Sequence, residues 1–224
     1  NQMKLLMTAA PRKVIARYTA IYKEAGLTLK SLETESFALV RAMVGSDPSA
    51  ILILDIGASR SNLYLVRGRI PLLHRSINIG GNQFTKVLAE HLGVSNEEAE
   101  QMKVDMATKR EGETLLEVFK PSVGPIVQEI KYHLQLFEKQ LGGASRSEKI
   151  ILTGGSATLP HLDTYIEDFF QMRTFVGDPW ARVVYDDALK MPLDQIGPRF
   201  AIPVGLALSE VLPADKMALP EKKK

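Results

Sequence analysis

The apolar and polar positions of this chain fall into a few sharply bounded runs, and the densest is ILILDIGASRSNLYLV at residues 51–66. Four consecutive apolar residues lead into Asp55-Ile56-Gly57-Ala58-Ser59, and a second run, Leu63-Tyr64-Leu65-Val66, follows a short polar patch. Unbroken apolar runs of this length predict strands covered on both faces, since a surface strand alternates. The pattern predicts two neighbouring strands joined by a tight turn, with Asp55 at the end of the first.

The same reading extends in both directions. Residues 3–9 read as a strand ending before Pro11. Residues 12–25 read as a helix with Val14, Ile15, Tyr18, Ile21 and Tyr22 on one face and Gly26 as its stop. A short strand is predicted over 27–32 and a helix over 36–44. After the central pair comes a third strand, 72–79. Gly80-Gly81 then opens a helix over 82–92, closed by Gly93. Ser95 with Glu98 forms a capping box for the next helix. Residues 118–141 read as a long helix with Ile126, Ile130, Leu134 and Phe137 on its apolar face and Pro121 and Pro125 near its start. Ile150-Ile151-Leu152 is a buried strand running into Thr153-Gly154-Gly155-Ser156-Ala157. A helix over 161–170, an edge strand at 175–176 and a final helix over 198–208 complete the prediction. The expected organisation is 1–49 as the end of a first lobe, 50–93 with 148–212 as a sheet subdomain, 94–147 as an inserted helical subdomain, and 213–224 as a tail. A chain that starts at Asn1 and almost at once enters a strand reads as the C-terminal portion of a longer protein.

Composition narrows the function classes. The 224 residues are 45% hydrophobic, enough to build a core. Lys+Arg 28 against Asp+Glu 26 leaves a net charge of +2, which argues against a strongly basic nucleic-acid surface. There is no cysteine, so disulfide scaffolds and thiolate metal sites are excluded. The four histidines lack metal-ligand spacing. No apolar run approaches the roughly 18 residues a membrane span needs, so a membrane role would come through a partner.

The candidate chemistry lies in the turns. Gly57 and Ala58 let backbone approach a ligand, and Ser59 adds a hydroxyl beside several N–H groups, a concavity suited to an anion. Asp55 could hold a water-coordinated Mg²⁺ there. Taken alone, the stretch fits a phosphate hairpin and an ordinary β-turn equally. Three glycine turns after three strands, at Asp55-Gly57, Gly80-Gly81 and Gly154-Gly155, are more specific, because ligands of open sheets collect beyond strand ends. Glu100 and Lys103, spaced i, i+3, share a helix face. They suit a ribose hydroxyl and an adenine ring, or a simple exposed ion pair.

These motifs together resemble the actin-like ATPase superfamily: Asp55-Ile56-Gly57-Ala58-Ser59, Ile79-Gly80-Gly81 opening a helix, Ala99-Glu100-Gln101-Met102-Lys103, and Leu152-Thr153-Gly154-Gly155-Ser156-Ala157. Within it the chain is similar to the FtsA-like PilM family of type IV pilus assembly, through Arg75 to Asn82, through Gly177-Asp178-Pro179-Trp180 with Arg182-Val183, and through Thr8-Ala9-Ala10-Pro11 before a helix. The resemblance runs over about residues 3–208. It implies an α/β, actin-like (ribonuclease H-like) fold fragment, a mixed sheet with flanking helices, and an ATP or ADP site with Mg²⁺. Asp55 would hold Mg²⁺ through water, and Gly57, Ala58 and Ser59 would meet the phosphates. Gly80 and Gly81 would pass close to the nucleotide, Glu100 and Lys103 would contact ribose and adenine, and Gly154, Gly155 and Ser156 would border the adenosine. Glu35 matches a connector acid near the attacking water, although Ser36 stands where the pattern has proline, and Glu35 also suits a helix start.

The family's first phosphate loop has no counterpart before Asp55, so weak or absent ATP binding by this chain alone is expected. The resemblance further implies a cytoplasmic scaffold, peripheral at the inner membrane through partners. It would dock the N-terminal peptide of a PilN-like membrane protein and other pilus-machine proteins, with hydrolysis slow or absent. The rivals on the same core are a kinase or chaperone-type ATPase, a secretion-system homologue that shares the fold but lacks nucleotide, and an FtsA-like filament protein. For the last, Met217-Ala218-Leu219-Pro220-Glu221 is too short and proline-broken to be a membrane-targeting helix.

Overall fold

A computed structural model describes residues 7–109, 117–140 and 147–211. The chain divides into two units, Asn1–Thr34 and Glu35–Lys224. In the first, helix α1 spans Arg12–Glu24, starts after Pro11 and buries none of its residues. Its predicted apolar face is real as a pattern but exposed, from 38% at Tyr22 to 49% at Ile21. The strand predicted over 27–32 does not form, and residues 7–11 are irregular; residues 3–6 lie outside the described residues. A strand depends on ladder partners, and residues 27–32 find none among the described residues.

The second unit is organised by a five-stranded sheet of order β3-β2-β1-β4-β5. Its strands are β1 (Ala50–Ile56), β2 (Ser61–Arg67), β3 (Ile70–Ile77), β4 (Lys149–Thr153) and β5 (Arg173–Val176). β1–β2 and β2–β3 are antiparallel, while β1–β4 and β4–β5 are parallel. Register decides where the turns fall. Asp55 is level with Thr153 across the parallel pair, and Ile77 is level with Ser61 across β2–β3. The turns after β1, β3 and β4 therefore emerge at one end of the sheet. That is the reason distant glycine turns meet.

Both faces of β1 are covered, as its unbroken apolar run requires. Leu52, Leu54, Ile56, Leu63, Leu65, Ile150 and Leu152 share one core with Phe84, Leu88, Val123, Ile126, Ile130 and Ile166. Those partners come from α3 (Gly81–Leu92), α5 (Lys120–Gln140) and α6 (Leu162–Phe170). The opposite face, with Ile51, Ile53, Tyr64, Val66 and Ile151, packs on Leu39, Val40, Met43 and Ala201. Each such fully buried side chain contributes roughly 1.5–3 kcal/mol. α5 thus lies in the sheet's own core, through the heptad-like face that the sequence predicts.

Local boundaries follow sequence signals where those are chemical. Ser95 and Glu98 form the reciprocal capping box, with Glu98 N–H donating to Ser95 Oγ at 3.2 Å and Ser95 N–H to Glu98 Oε2 at 3.0 Å. It precedes α4 (Asn96–Lys109). The predicted helix over 36–44 is α2 (Glu35–Leu39) continuing into a π-helical turn, Val40–Val44. There the wider backbone presents the Ala42 carbonyl to Arg182 Nη1 at 2.6 Å. The single helix predicted over 198–208 is broken into a 3₁₀ turn, Gly197–Phe200, then α8 (Ala201–Ala207) and another 3₁₀ turn. The carbonyl of Pro198 is taken by the end of β4, which pins this turn and interrupts regular helix. A further helix, α7 (Lys190–Ile196), was not signalled by periodicity.

Candidate functional site

At the sheet end the three turns interlock. Gly81 N–H donates to Gly57 O at 2.9 Å, Asn82 N–H to Ala58 O at 2.8 Å, and Ser156 N–H to Ile56 O at 3.1 Å. The glycines are needed first for this mutual contact. A Cβ on Gly80 would meet Gly57 O and Arg60 N at 2.5 and 2.7 Å, and one on Gly81 would strike Ser156 Oγ. Gly154 has φ +89, a left-handed conformation, and a Cβ there would lie 2.5 Å from Asp55 Oδ1. Asp55 and Gly154 therefore share one site. Gly155 differs: it is exposed, and a Cβ would meet only the Arg199 side chain, at 3.5 Å.

A cleft of about 610 Å³ opens between these turns, α4 and the 3₁₀ turn Gly197–Phe200; Ala58, Gly81, Glu100, Lys103, Gly155 and Arg199 are among its lining. That volume falls in the usual range for a small-molecule site. Ala58 and Ser59 are exposed, and their N–H groups have no acceptor among the described residues. They form the available anion-facing donors, whereas those of Gly57 and Gly81 are occupied.

Electrostatics separate the two ends of the cleft. Burial, and then the charge of Glu35, push the Asp55 carboxyl up to about 6, with Asn62 opposing through a hydrogen bond. Glu35 begins α2 and accepts from Tyr64 Oη at 3.0 Å. Tyr64 is itself pushed well above its ordinary value by burial and by Glu35. Its ring stacks on His74, centroids 4.7 Å apart. At the other end Lys103, 8% exposed, spends all three ammonium donors inside the protein: Gly81 O at 3.1 Å, Thr85 Oγ1 at 2.7 Å and Glu100 Oε2 at 2.5 Å. Thr85 also donates to Gly81 O, at 3.0 Å, and is within hydrogen-bond reach of Glu100 Oε2. Partial burial would raise the Glu100 carboxyl, but Lys103 and Thr85 hold it below its ordinary value. Lys103 is thus a fixed strut between α3 and α4, and Glu100, half-exposed, is the group offered to the cleft.

The family model for type IV pilus assembly protein PilM matches residues 1–211. The chain belongs to this family. Among solved structures, a PilM–PilN type IV pilus biogenesis complex matches with TM-score 0.73 and 28% identity, over 90% of this chain and 59% of that one. This PilM-family chain therefore spans less than two thirds of that relative's length. MreB5 of Spiroplasma citri bound to ADP matches with TM-score 0.67 and 17% identity, over 91% of this chain and 67% of that one. The ethanolamine utilization protein EutJ of Carboxydothermus hydrogenoformans matches with TM-score 0.61 and 21% identity, over 89% and 62%. The last two establish the actin-like fold.

Within this PilM-family fold, Glu35, Asp55, Gly57, Ala58, Ser59, Gly80, Gly81, Glu100, Lys103, Gly154, Gly155 and Ser156 all lie at the same sheet end or along the cleft beside it. Sequence reasoning missed Tyr64, Thr85 and Arg199. Tyr64 was reachable, since it sits two residues from Asn62 on one strand face. Thr85 and Arg199 carry no local pattern. Among the described residues no group of three or more His, Asp or Glu gathers as a metal site, and no helix is long and apolar enough to cross a membrane.

Proposed function

We propose that this chain is the nucleotide-binding portion of a scaffold in type IV pilus assembly, coupled at the cytoplasmic face of the inner membrane to a PilN-like protein. The observation that carries the nucleotide half is the meeting of three glycine turns with the Glu100–Lys103 helix around one cleft. ADP or ATP fits this set. Exposed N–H groups at Ala58 and Ser59 would take phosphate oxygens, Glu100 would accept from a ribose hydroxyl, and Gly155 leaves room beside the base. Mg²⁺ fits too: the causes acting on Asp55 are burial, Glu35 and Asn62, none of them a cation, so its carboxylate gains from a divalent ion held through water. Such an ion, when bound, offsets phosphate charge. The chain's own residues then orient and screen. Glu35, exposed and hydrogen-bonded by Tyr64, would receive a proton from a water near the phosphates. In this reading turnover is slow or nil and the nucleotide acts as a clamp.

The partner half rests on α1. Its row of Val14, Ile15, Tyr18, Ile21 and Tyr22 is exposed, an apolar strip suited to an amphipathic peptide segment. The test is fluorescence anisotropy with a labelled N-terminal peptide of the PilN-like partner. Saturable binding that is lost in Tyr18→Asp is expected. Equal binding by wild type and variant would overturn the assignment of this face.

A further inference from the structure

Among the described residues that line the cleft, Arg199 is the exposed cationic side chain, and its setting is built. Pro198 O accepts from Gly154 N–H at 2.9 Å and from Thr153 Oγ1 at 3.0 Å, so the backbone beside Arg199 is tied to the end of β4. On the far side Gly197 packs against Trp180, whose Nε1–H donates to Leu193 O at 2.8 Å, and Trp180 also lies beside Phe200 with centroids 6.0 Å apart. The stem of Arg199 runs along Gly155, with Nε and Cγ at 3.5 and 3.7 Å from where a Cβ would stand. Its guanidinium makes no ion pair among the described residues, although Glu100 feels its charge. The rest of the lining is mixed: Val104 and Ala107 of α4 and Leu159 are apolar, while Thr158, Gln195 and Asp194 are polar, Asp194 pairing with Lys190 at 3.5 Å.

We propose that Arg199 is a specificity-determining residue that covers one face of a purine base with its guanidinium plane. The proposal rests on the nucleotide reading above and extends it to the class of base. The physical case is shape and charge. A planar, weakly hydrated guanidinium offers a face that a flat π-system covers better than a sugar or a phosphate does. Arg199 lies against Gly155 and its charge reaches Glu100, whereas the donors that suit phosphate are the N–H groups of Ala58 and Ser59. A two-ring base covers more of the plane than a one-ring base. Lysine would keep the charge and lose the plane.

The experiment is calorimetric titration of the chain and of Arg199→Ala and Arg199→Lys with Mg-ADP, Mg-CDP and pyrophosphate, run to millimolar concentrations. Arg199 is exposed and its anchors are backbone groups, so matched thermal melts are expected. In Arg199→Ala, ADP affinity should fall about tenfold, CDP affinity by less, and pyrophosphate affinity not at all. Arg199→Lys should resemble Arg199→Ala. Full recovery of ADP binding by lysine, or an equal loss for pyrophosphate, would show a charge contact and overturn stacking. Wild-type ADP affinity in both variants would also overturn it while leaving the nucleotide reading intact. A wild-type chain that binds none of the three would overturn both.

Discussion

Asp55 beside Gly154 and Glu100 on α4 mark two ends of the site, and the upward push of burial prevails at the first and is overcome at the second. Asp55 is partly buried, with no cation among the groups acting on it, and its carboxyl rises to about 6. Glu100 is half-exposed and tied to Lys103 and Thr85, and its carboxyl is lowered. The difference teaches what each end is prepared for. Glu100 is already paired before any ligand arrives, so it serves as a fixed part of the wall. The Asp55 end is incomplete, and a divalent cation with a phosphate would relieve it.

The sharpest way to break this comparison is Asp55→Asn. Removing a carboxylate that is held near pH 6 against an ordinary 3.8 should stabilise the chain at pH 7 by about 2–3 kcal/mol, read as a rise in the denaturant midpoint. The same change should weaken Mg-dependent nucleotide binding about 10- to 100-fold. The sign follows from linkage. Asp55 binds its proton more tightly when folded, so its contribution is fully favourable below about pH 4 and is lost as pH rises through about 6. Asp47 runs the other way, since Lys149 and Ser49 hold it at about 2 against the upward push of burial. Its contribution is present above pH 4 and lost toward pH 2. A variant Asp55→Asn whose stability still falls between pH 4 and 6 as in wild type would remove Asp55 from the explanation.

A smaller effect is expected at the finished end. Lys103→Met leaves the Gly81 carbonyl, Thr85 and Glu100 without their shared donor and should cost about 1–3 kcal/mol, measured by the same denaturant series. It should raise the Glu100 carboxyl and leave Asp55 titrating as before. Movement of both groups together would mean the two ends are one electrostatic unit.

Much of this arrangement was legible in the chain. The unbroken run at Ile51–Leu54 implied two covered faces, and the cores on either side of β1 supply them. Glycine turns after strands pointed to one sheet end, and register puts them there. What glycine meant at each turn was not legible, because the clash it avoids at Gly80 or Gly154 is with another loop far away in sequence. Lys103 likewise looked like a ligand contact until three internal acceptors were seen to use it. The strand expected at 27–32 failed because apolar residues alone do not supply a pairing partner. Arg199 was hidden because its place depends on the Pro198 carbonyl being tied to β4, a tertiary fact with no periodic trace.

The most direct measurement is an amide NMR titration of the chain with Mg-ADP at millimolar concentration. The account predicts that shifts gather at Ala58, Ser59, Gly81, Glu100 and Gly155, turns and helix that converge only in the folded sheet. Shifts scattered over the surface, or confined to one of these turns, would contradict a single nucleotide cleft.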